Sequence, residues 1–149
     1  MAPQESRAGS GQRHEGPDNT PRLRLKRKAP TSGFVDGAWW PHSGDLVKEL
    51  PDLLTVLSVR LGGVTRVAYR LEEWAAAPRK FSVDGRVVRL DGYHRQPANT
   101  IEILNGNGGR TILLVVPPGT EADHAHTIAM AAASTDNAST VDSLLSTGA

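Results

Sequence analysis

A chain of 149 residues with 38% hydrophobic and 22% charged residues is long enough for one domain with its own core. Because the sequence contains no cysteine, disulfide bridges, thiolate catalysis and cysteine-ligated metal sites are excluded. The net charge is only +1, yet residues 1–30 carry an excess of four positive charges and the remaining residues an excess of three negative charges. Attraction to nucleic acid is therefore expected only at the N-terminal segment.

Both ends of the chain differ in composition from its middle. Residues 1–20 are rich in Gly, Pro, Ser and charge, which predicts a disordered N-terminal tail. They hold no apolar run typical of a signal peptide, and no run of about 18 apolar residues occurs further on. Residues 134–149 predict a flexible C-terminal tail, in which Val141, Leu144 and Leu145 either dock as one turn or stay loose. We expect a cytoplasmic protein without membrane association, folded as a single domain over residues 21–133.

The first predicted element is the alternating stretch "RLRLKRK", which begins at Arg22. Its period of two predicts a strand with one buried and one solvated face. Basic side chains on an edge strand discourage pairing with another chain. The alternative interpretation is that the same side chains bind phosphate groups. The residues concerned are Arg22, Arg24, Lys26, Arg27 and Lys28.

The stretch "DGAWWPHSGDL" places two tryptophans between a glycine and a proline, ahead of a leucine-rich segment. If the backbone is extended, Trp39 and Trp40 point to opposite sides, so we expect one in the core and one facing outward. A helix is predicted from Ser43 or Asp45 to the glycines at 62–63, with either a kink at Pro51 or two short helices that meet there. Leucines spaced by three and four residues form its buried stripe.

The middle of the sequence predicts a series of strands. "VTRVAYRL" is the clearest, and "KFSVDGRVVRL" contains an Asp84–Gly85 turn that places Phe81 opposite Val88. "NTIEIL" and "RTILLVVPP" flank the turn "NGNGG", and the unbroken apolar run of the second predicts a central strand covered on both faces. "TEADHAHTIAMAAAS" predicts a helix capped at Thr120.

These elements predict an α+β fold. We expect a mostly antiparallel sheet of five or six strands, covered on one face by the leucine-rich helix and the C-terminal helix.

Catalytic and metal-binding patterns are missing from the sequence. No serine lies in a nucleophile elbow, and no spacing pairs two carboxylates for acid–base work. The imidazoles of His124 and His126 are two residues apart, so a helix points them away from each other and not at one metal ion. No catalytic residue, metal or cofactor is therefore predicted.

Two clusters of aromatic and polar residues, "GAWWPHSGD" and "GYHRQPANT", are the candidate binding segments. A third segment, "EEWAAAPRK", belongs to the candidate site only if it lies next to these two clusters in the fold. Large flat side chains beside hydrogen-bond donors are typical of recognition sites. The favoured hypothesis is a non-catalytic binding or interaction module with a small-molecule or protein partner. The candidate ligand-binding residues are Trp39, Trp40, His42, Trp74, Arg79, Tyr93, His94, Arg95, Gln96 and Asn99.

Two alternatives remain open. One is a nucleic-acid-associated protein that uses the basic segment at residues 22–28. The other is a small enzyme in which His42 or His94 acts as acid or base.

Six motifs in order give the sequence a resemblance to known proteins: "RLRLKRKAP", "DGAWWP", "DL..ELP.LL", "RVAYRLEEWAAAPR", "DGR.VRL.GY..QP.NT" and "LLVVPP.T", where dots stand for any residue. On these, the chain resembles a small uncharacterised family of actinobacterial proteins, classed as a domain of unknown function, over roughly Pro21 to Met130. The resemblance implies an actinobacterial source and a compact domain, and it implies no substrate, cofactor or catalytic residue.

Overall fold

The computed structural model describes residues 22–26, 35–83, 85–133 and 141–146. The predicted N-terminal tail and the side chains of Arg27, Lys28 and Asp84 lie outside these ranges. The elements in chain order are β1 (Leu23–Leu25), β2 (Gly37–Trp39), α1 (Leu46–Leu61), β3 (Val64–Arg70), a 3-10 turn (Leu71–Glu73), β4 (Lys80–Val83), β5 (Arg86–Tyr93), β6 (Thr100–Asn105), β7 (Arg110–Val115), α2 (Ala122–Ala132) and α3 (Val141–Ser146).

The described strands form one seven-stranded sheet in the order β1-β2-β7-β6-β3-β5-β4. It is a mixed sheet, because β2 pairs with β7 and β3 pairs with β5 in parallel. The α+β class is confirmed, whereas the mostly antiparallel sheet of five or six strands is wrong. The extra strand is the three-residue β2, whose Gly-Ala-Trp sequence has no alternating pattern of its own.

Both predicted hairpins are present. In the first, Phe81 pairs with Val88 and Val83 with Arg86, which is the register expected from a two-residue turn. In the second, β6 pairs with β7 around the glycine-rich turn. The Asn105 side chain stabilises this turn by accepting hydrogen bonds from the backbone N–H groups of Asn107 and Gly109.

The helices lie on opposite faces of the sheet, which corrects the expectation that both cover one face. The leucine stripe of α1 packs against one face, together with Leu113 and Val115 of β7. The alternate residues of the same strand segment, Leu114 and Val116, pack on the other face with α2 and α3. Because β7 is apolar on both sides, it needs a cover on both sides.

Helix α1 begins with Asp45 as its N-cap, whose side chain accepts from the Lys48 backbone N–H, and ends at Gly62, whose φ is +78°. It runs as one continuous element through Pro51. Pro51 has no N–H to donate to the Val47 carbonyl, and the helix continues past this missing hydrogen bond, so two separate short helices do not form.

The C-terminal region differs from the prediction in the cap of its first helix. Helix α2 is capped by Glu121 and not by Thr120, because the Glu121 carboxylate accepts from the His124 backbone N–H. Part of the predicted flexible tail forms α3, whose Leu144 is buried against α2. An apolar residue sealed from water stabilises such a segment. None of the helices in the described ranges has the length and apolar character needed to cross a bilayer.

Candidate functional site

The sheet topology brings four connections to one end of the sheet. Strands β2 and β7 are parallel, β3 and β5 are parallel, and β6 runs antiparallel to both β7 and β3. The segments after β2, after β3, between β5 and β6, and after β7 therefore all lie at the end where β6 begins. The two aromatic clusters noted in the sequence share this rim.

Hydrogen bonds join these connections to one another. The Ala75 backbone N–H donates to the Gly44 carbonyl over 2.9 Å, which ties the segment after β3 to the segment after β2. The Asn99 N–H donates to the Glu73 carboxylate over 2.7 Å, and Arg70 donates to the Gln96 carbonyl over 2.8 Å. The rim is therefore one connected structure.

Trp39 and Trp74 belong to the core. Trp39 is 2% exposed and Trp74 is 9% exposed. Their rings are stacked, with centroids 5.7 Å apart and planes 18° from parallel. This stack fixes the segment after β3 against the end of β2, so these two candidate residues are structural and do not offer a surface to a ligand.

Trp40 points to the opposite face and is half-buried. The Arg22 guanidinium lies 3.6 Å from the centroid of its ring and donates hydrogen bonds to the carbonyls of Trp40 and Pro41, each over 2.9 Å. The indole N–H donates to the carbonyls of Pro117 and Pro118. Burial lowers the pKa of Arg22, against a smaller opposing effect of Glu49. Both flat groups are held rigidly in place.

A cleft of about 390 Å³ lies beside this pair, between β1 and α2. Its volume falls within the range of about 300 to 1,000 Å³ that is usual for small-molecule sites. We call it the Trp40 cleft; its lining residues are Arg22, Leu23, Arg24, Trp40, Ala125, His126 and Ala129. Ala125 and Ala129 are one helical turn apart on α2, and their small side chains leave space for the cleft. The cleft therefore has an apolar floor formed by these alanines and positively charged edges formed by the arginines.

The basic N-terminal segment is only partly available to a phosphate chain. Lys26 is 2% exposed, and Arg22 is occupied by the Trp40 ring and two carbonyls. Arg24 is exposed and lines the Trp40 cleft. In the described part of this segment, Arg24 is thus the side chain best placed to meet an anion.

The remaining candidate residues lie along the rim. Tyr93 is 42% exposed, and its hydroxyl accepts a hydrogen bond from Arg66. Trp40 and Tyr93 are four strand positions apart, about 19 Å at the usual spacing of about 4.8 Å. The two clusters therefore share an end of the sheet without lining one cleft. The other rim residues are His42, Arg79, His94 and Arg95, which are exposed, and Gln96 and Asn99, which are half-buried.

Two histidines pair with carboxylates at the surface. Nδ1 of His94 hydrogen-bonds with Glu72, and Nδ1 of His42 lies 3.6 Å from Glu49. The His94 side chain is 77% exposed and that of His42 is 56% exposed. Hydration at such positions weakens electrostatic effects, so neither pair has the enclosed setting of a general acid–base site. Within the described ranges, no three His, Asp or Glu side chains are grouped to hold a metal ion.

Neighbouring carboxylates at the rim have opposite pKa shifts. The hydrogen bond from His94 lowers the pKa of Glu72. Burial raises the pKa of Glu73, even though the Asn99 N–H acts in the opposite direction. One oxygen of Glu73, Oε1, is buried without a hydrogen-bond partner among the described residues. The ionised form of the Glu73 carboxylate therefore lowers the stability of the folded protein.

Sequence reasoning missed most of the Trp40 cleft. The pairing of Arg22 with Trp40 follows from the antiparallel register of β1 and β2, in which Leu23 lies opposite Trp39. The connection between these strands runs from residue 26 to residue 36 and is longer than a tight hairpin loop, so no local turn motif indicates the pairing. The helix predicted for this stretch places Ala125 and Ala129 on one side, but their small size at a cleft has no signature in a single sequence.

The family model described as "Family of unknown function (DUF5994)" matches residues 22–133, and the chain belongs to that family. Neither the curated proteins nor the solved structures include a match to this chain. The family assignment confirms the resemblance to a domain of unknown function and brings no catalytic or binding role with it.

Proposed function

We propose that this DUF5994 protein is a non-catalytic binding module that holds a small aromatic anion in the Trp40 cleft. The observation that carries the proposal is the position of the Trp40 ring and the exposed guanidinium of Arg24 at one concave surface. The flat ring of such a ligand contacts the Trp40 indole and the alanine side chains of α2, and its acidic group binds the Arg24 guanidinium.

The chemistry of the cleft favours an anion over a neutral ligand. Arg24 makes no ion pair within the described part of the chain, whereas Arg22 contacts the Trp40 ring and two carbonyl oxygens. A ligand that brings a carboxylate or phosphate group therefore gains a charge-assisted hydrogen bond to Arg24 that a neutral ligand lacks. The arginine fork suits a bidentate contact with either group.

Paired probes test this proposal. Naphthalene-2-carboxylate and its neutral amide, naphthalene-2-carboxamide, share a ring system and differ in charge. In an NMR titration of the ¹⁵N-labelled protein, we expect the carboxylate to shift the Trp40 indole N–H and the α2 amides, and to bind about tenfold more tightly than the amide, which corresponds to about 1.4 kcal/mol.

Two variants locate the site. Arg24→Gln is expected to remove the preference for the carboxylate, and Ala129→Leu to weaken both probes by filling the cleft. Arg95→Gln changes the net charge equally at the rim and serves as the matched control. Equal binding by Arg24→Gln and the wild type, or shifts confined to residues outside the cleft, would refute the proposal.

A further inference from the structure

We propose that the uncovered half of the sheet is a second binding surface, which takes single-stranded nucleic acid. It comprises β6, β3, β5 and β4, together with Arg110 at the start of β7, on the face opposite α1. The buried cluster that includes α2 and α3 has members from β2 and β7 and none from these four strands. In the described ranges, no helix covers this half of the sheet.

The strand registers align basic residues across this surface. Arg110 of β7 lies opposite Leu104, Leu104 opposite Arg66, Arg66 opposite Arg89, and Arg89 opposite Lys80. We call the set Arg110, Arg66, Arg89 and Lys80 the cationic row. It crosses five strands, a width of roughly 19 Å at the usual strand spacing.

The cationic row brings like charges next to each other on neighbouring strands. Like charges directly opposite each other on neighbouring strands destabilise a sheet, and Arg66, Arg89 and Lys80 are three in succession. The long side chains of Arg89 and Arg110 remain 67% and 61% exposed. A partner with regularly spaced negative charges removes this repulsion.

Two carboxylates hold the arginines in place but do not neutralise the row. Asp91 hydrogen-bonds with Arg66 and lies 3.4 Å from Arg89, while Glu102 lies 2.9 Å from Arg110. Lys80 makes no ion pair with any described residue. Four cations against two carboxylates leave an excess of two positive charges, on a body that is otherwise acidic.

The shape of this surface favours a single strand over a duplex. Duplex readers insert a helix or a two-stranded ribbon into a groove, and this half of the sheet is a broad face without such a projection. Single strands instead lie across an open sheet, with phosphates on cations and unstacked bases on aromatic rings or guanidinium planes. Tyr93 supplies an exposed ring beside the row, fixed by Arg66 through its hydroxyl.

Fluorescence anisotropy with a labelled 20-nucleotide oligothymidylate tests the proposal. For three or four phosphate contacts, a single strand gives a log–log salt slope of about −2 to −3, so affinity should fall about twenty- to fiftyfold between 50 and 200 mM salt. The double variant Lys80→Gln/Arg89→Gln is expected to weaken binding and to flatten the slope by about 1.4. Tyr93→Ser is expected to weaken binding without changing the slope.

A matched control removes two exposed basic side chains from the α1 side of the molecule. Lys48→Gln/Arg86→Gln changes the net charge by the same amount and is expected to bind like the wild type. Equal losses in the two double variants, absence of binding at 50 mM salt, or tighter binding of duplex DNA or polyglutamate would overturn the proposal. None of these residues lines the Trp40 cleft, so this experiment and the naphthalene titration fail independently.

Discussion

At the scale of single residues, adjacent side chains in this chain have opposite roles. Trp39 closes the core against Trp74, while Trp40, the next residue, forms the wall of a cleft on the other face. The same contrast separates Glu72, whose pKa is lowered by His94, from Glu73, whose pKa is raised by burial. Neighbours in sequence differ because each meets a different environment.

The two glutamates predict opposite pH effects on stability. A carboxyl group whose pKa is raised in the folded state destabilises the fold as the pH rises above about 4.3, the usual pKa of glutamate in the unfolded chain. The reason is that the unfolded state then ionises before the folded state does. The free energy of unfolding of Glu73→Gln, measured relative to that of the wild type, should therefore increase from pH 3.5 to pH 6. Glu72 has a lowered pKa, so its stabilising effect is present above about pH 4.3 and is lost as the pH falls through the folded value.

Urea unfolding of both variants and the wild type at the two pH values measures these differences. Glu72→Gln serves as the control of opposite sign, because it should lose stability relative to the wild type over the same interval. A difference between Glu73→Gln and the wild type that does not change with pH would contradict the burial of this carboxylate.

At the scale of elements, the edge of the sheet depends on one close backbone contact. A Cβ atom at Gly37 would lie 2.2 Å from the Arg24 carbonyl oxygen and 2.9 Å from the Leu25 Cα atom. Strand β1, which carries Arg22 and Arg24 to the cleft, therefore approaches β2 only because residue 37 has no side chain.

Gly37→Ala is expected to displace β1 and to cost about 1 to 3 kcal/mol in the free energy of unfolding. Hydrogen exchange should show faster exchange of the Lys26 and Trp40 amides, which bond to the Asp36 and Arg22 carbonyls. Gly44→Ala is the control, since no atom lies within 4 Å of its added Cβ, and it should change stability by less than about 0.5 kcal/mol. Unchanged exchange in Gly37→Ala would rule out the close contact.

At the scale of the whole molecule, the sheet is covered unequally: α1 spans one face, while α2 and α3 cover only part of the other. Leu144 of α3 is 1% exposed and belongs to the smaller buried cluster. That cluster has few large side chains, so we expect each to contribute strongly to stability.

Leu144→Ala is expected to reduce the free energy of unfolding by about 2 to 5 kcal/mol, the usual cost of a buried leucine. Val59→Ala is the control, because Val59 is 89% exposed on α1 and should change stability by less than about 0.5 kcal/mol. Urea unfolding measures both. A loss below about 0.5 kcal/mol for Leu144→Ala would mean that α3 does not pack as described.

Local patterns predicted much of this fold. Asp84–Gly85 specifies the β4–β5 register, and the apolar run of β7 indicates its central position because both of its faces need cover. The parallel pairs and the opposite placement of the helices were not predictable, because pairing between distant segments leaves no local signature. The Trp40 cleft and the cationic row depend on those pairings, so they appear only in three dimensions.

The pairing of β2 with β7 has a consequence for how the chain reaches its native state. Asp36 and Ile112, which flank that pairing and bond to each other, are 76 positions apart. Contacts of such long range slow folding, since the entropy of closing the loop is lost before any contact is gained. During translation, β2 can pair with β7 only after β7, the last of the described strands, has left the ribosome, so the hydrophobic side chains of β2 lack this cover until then.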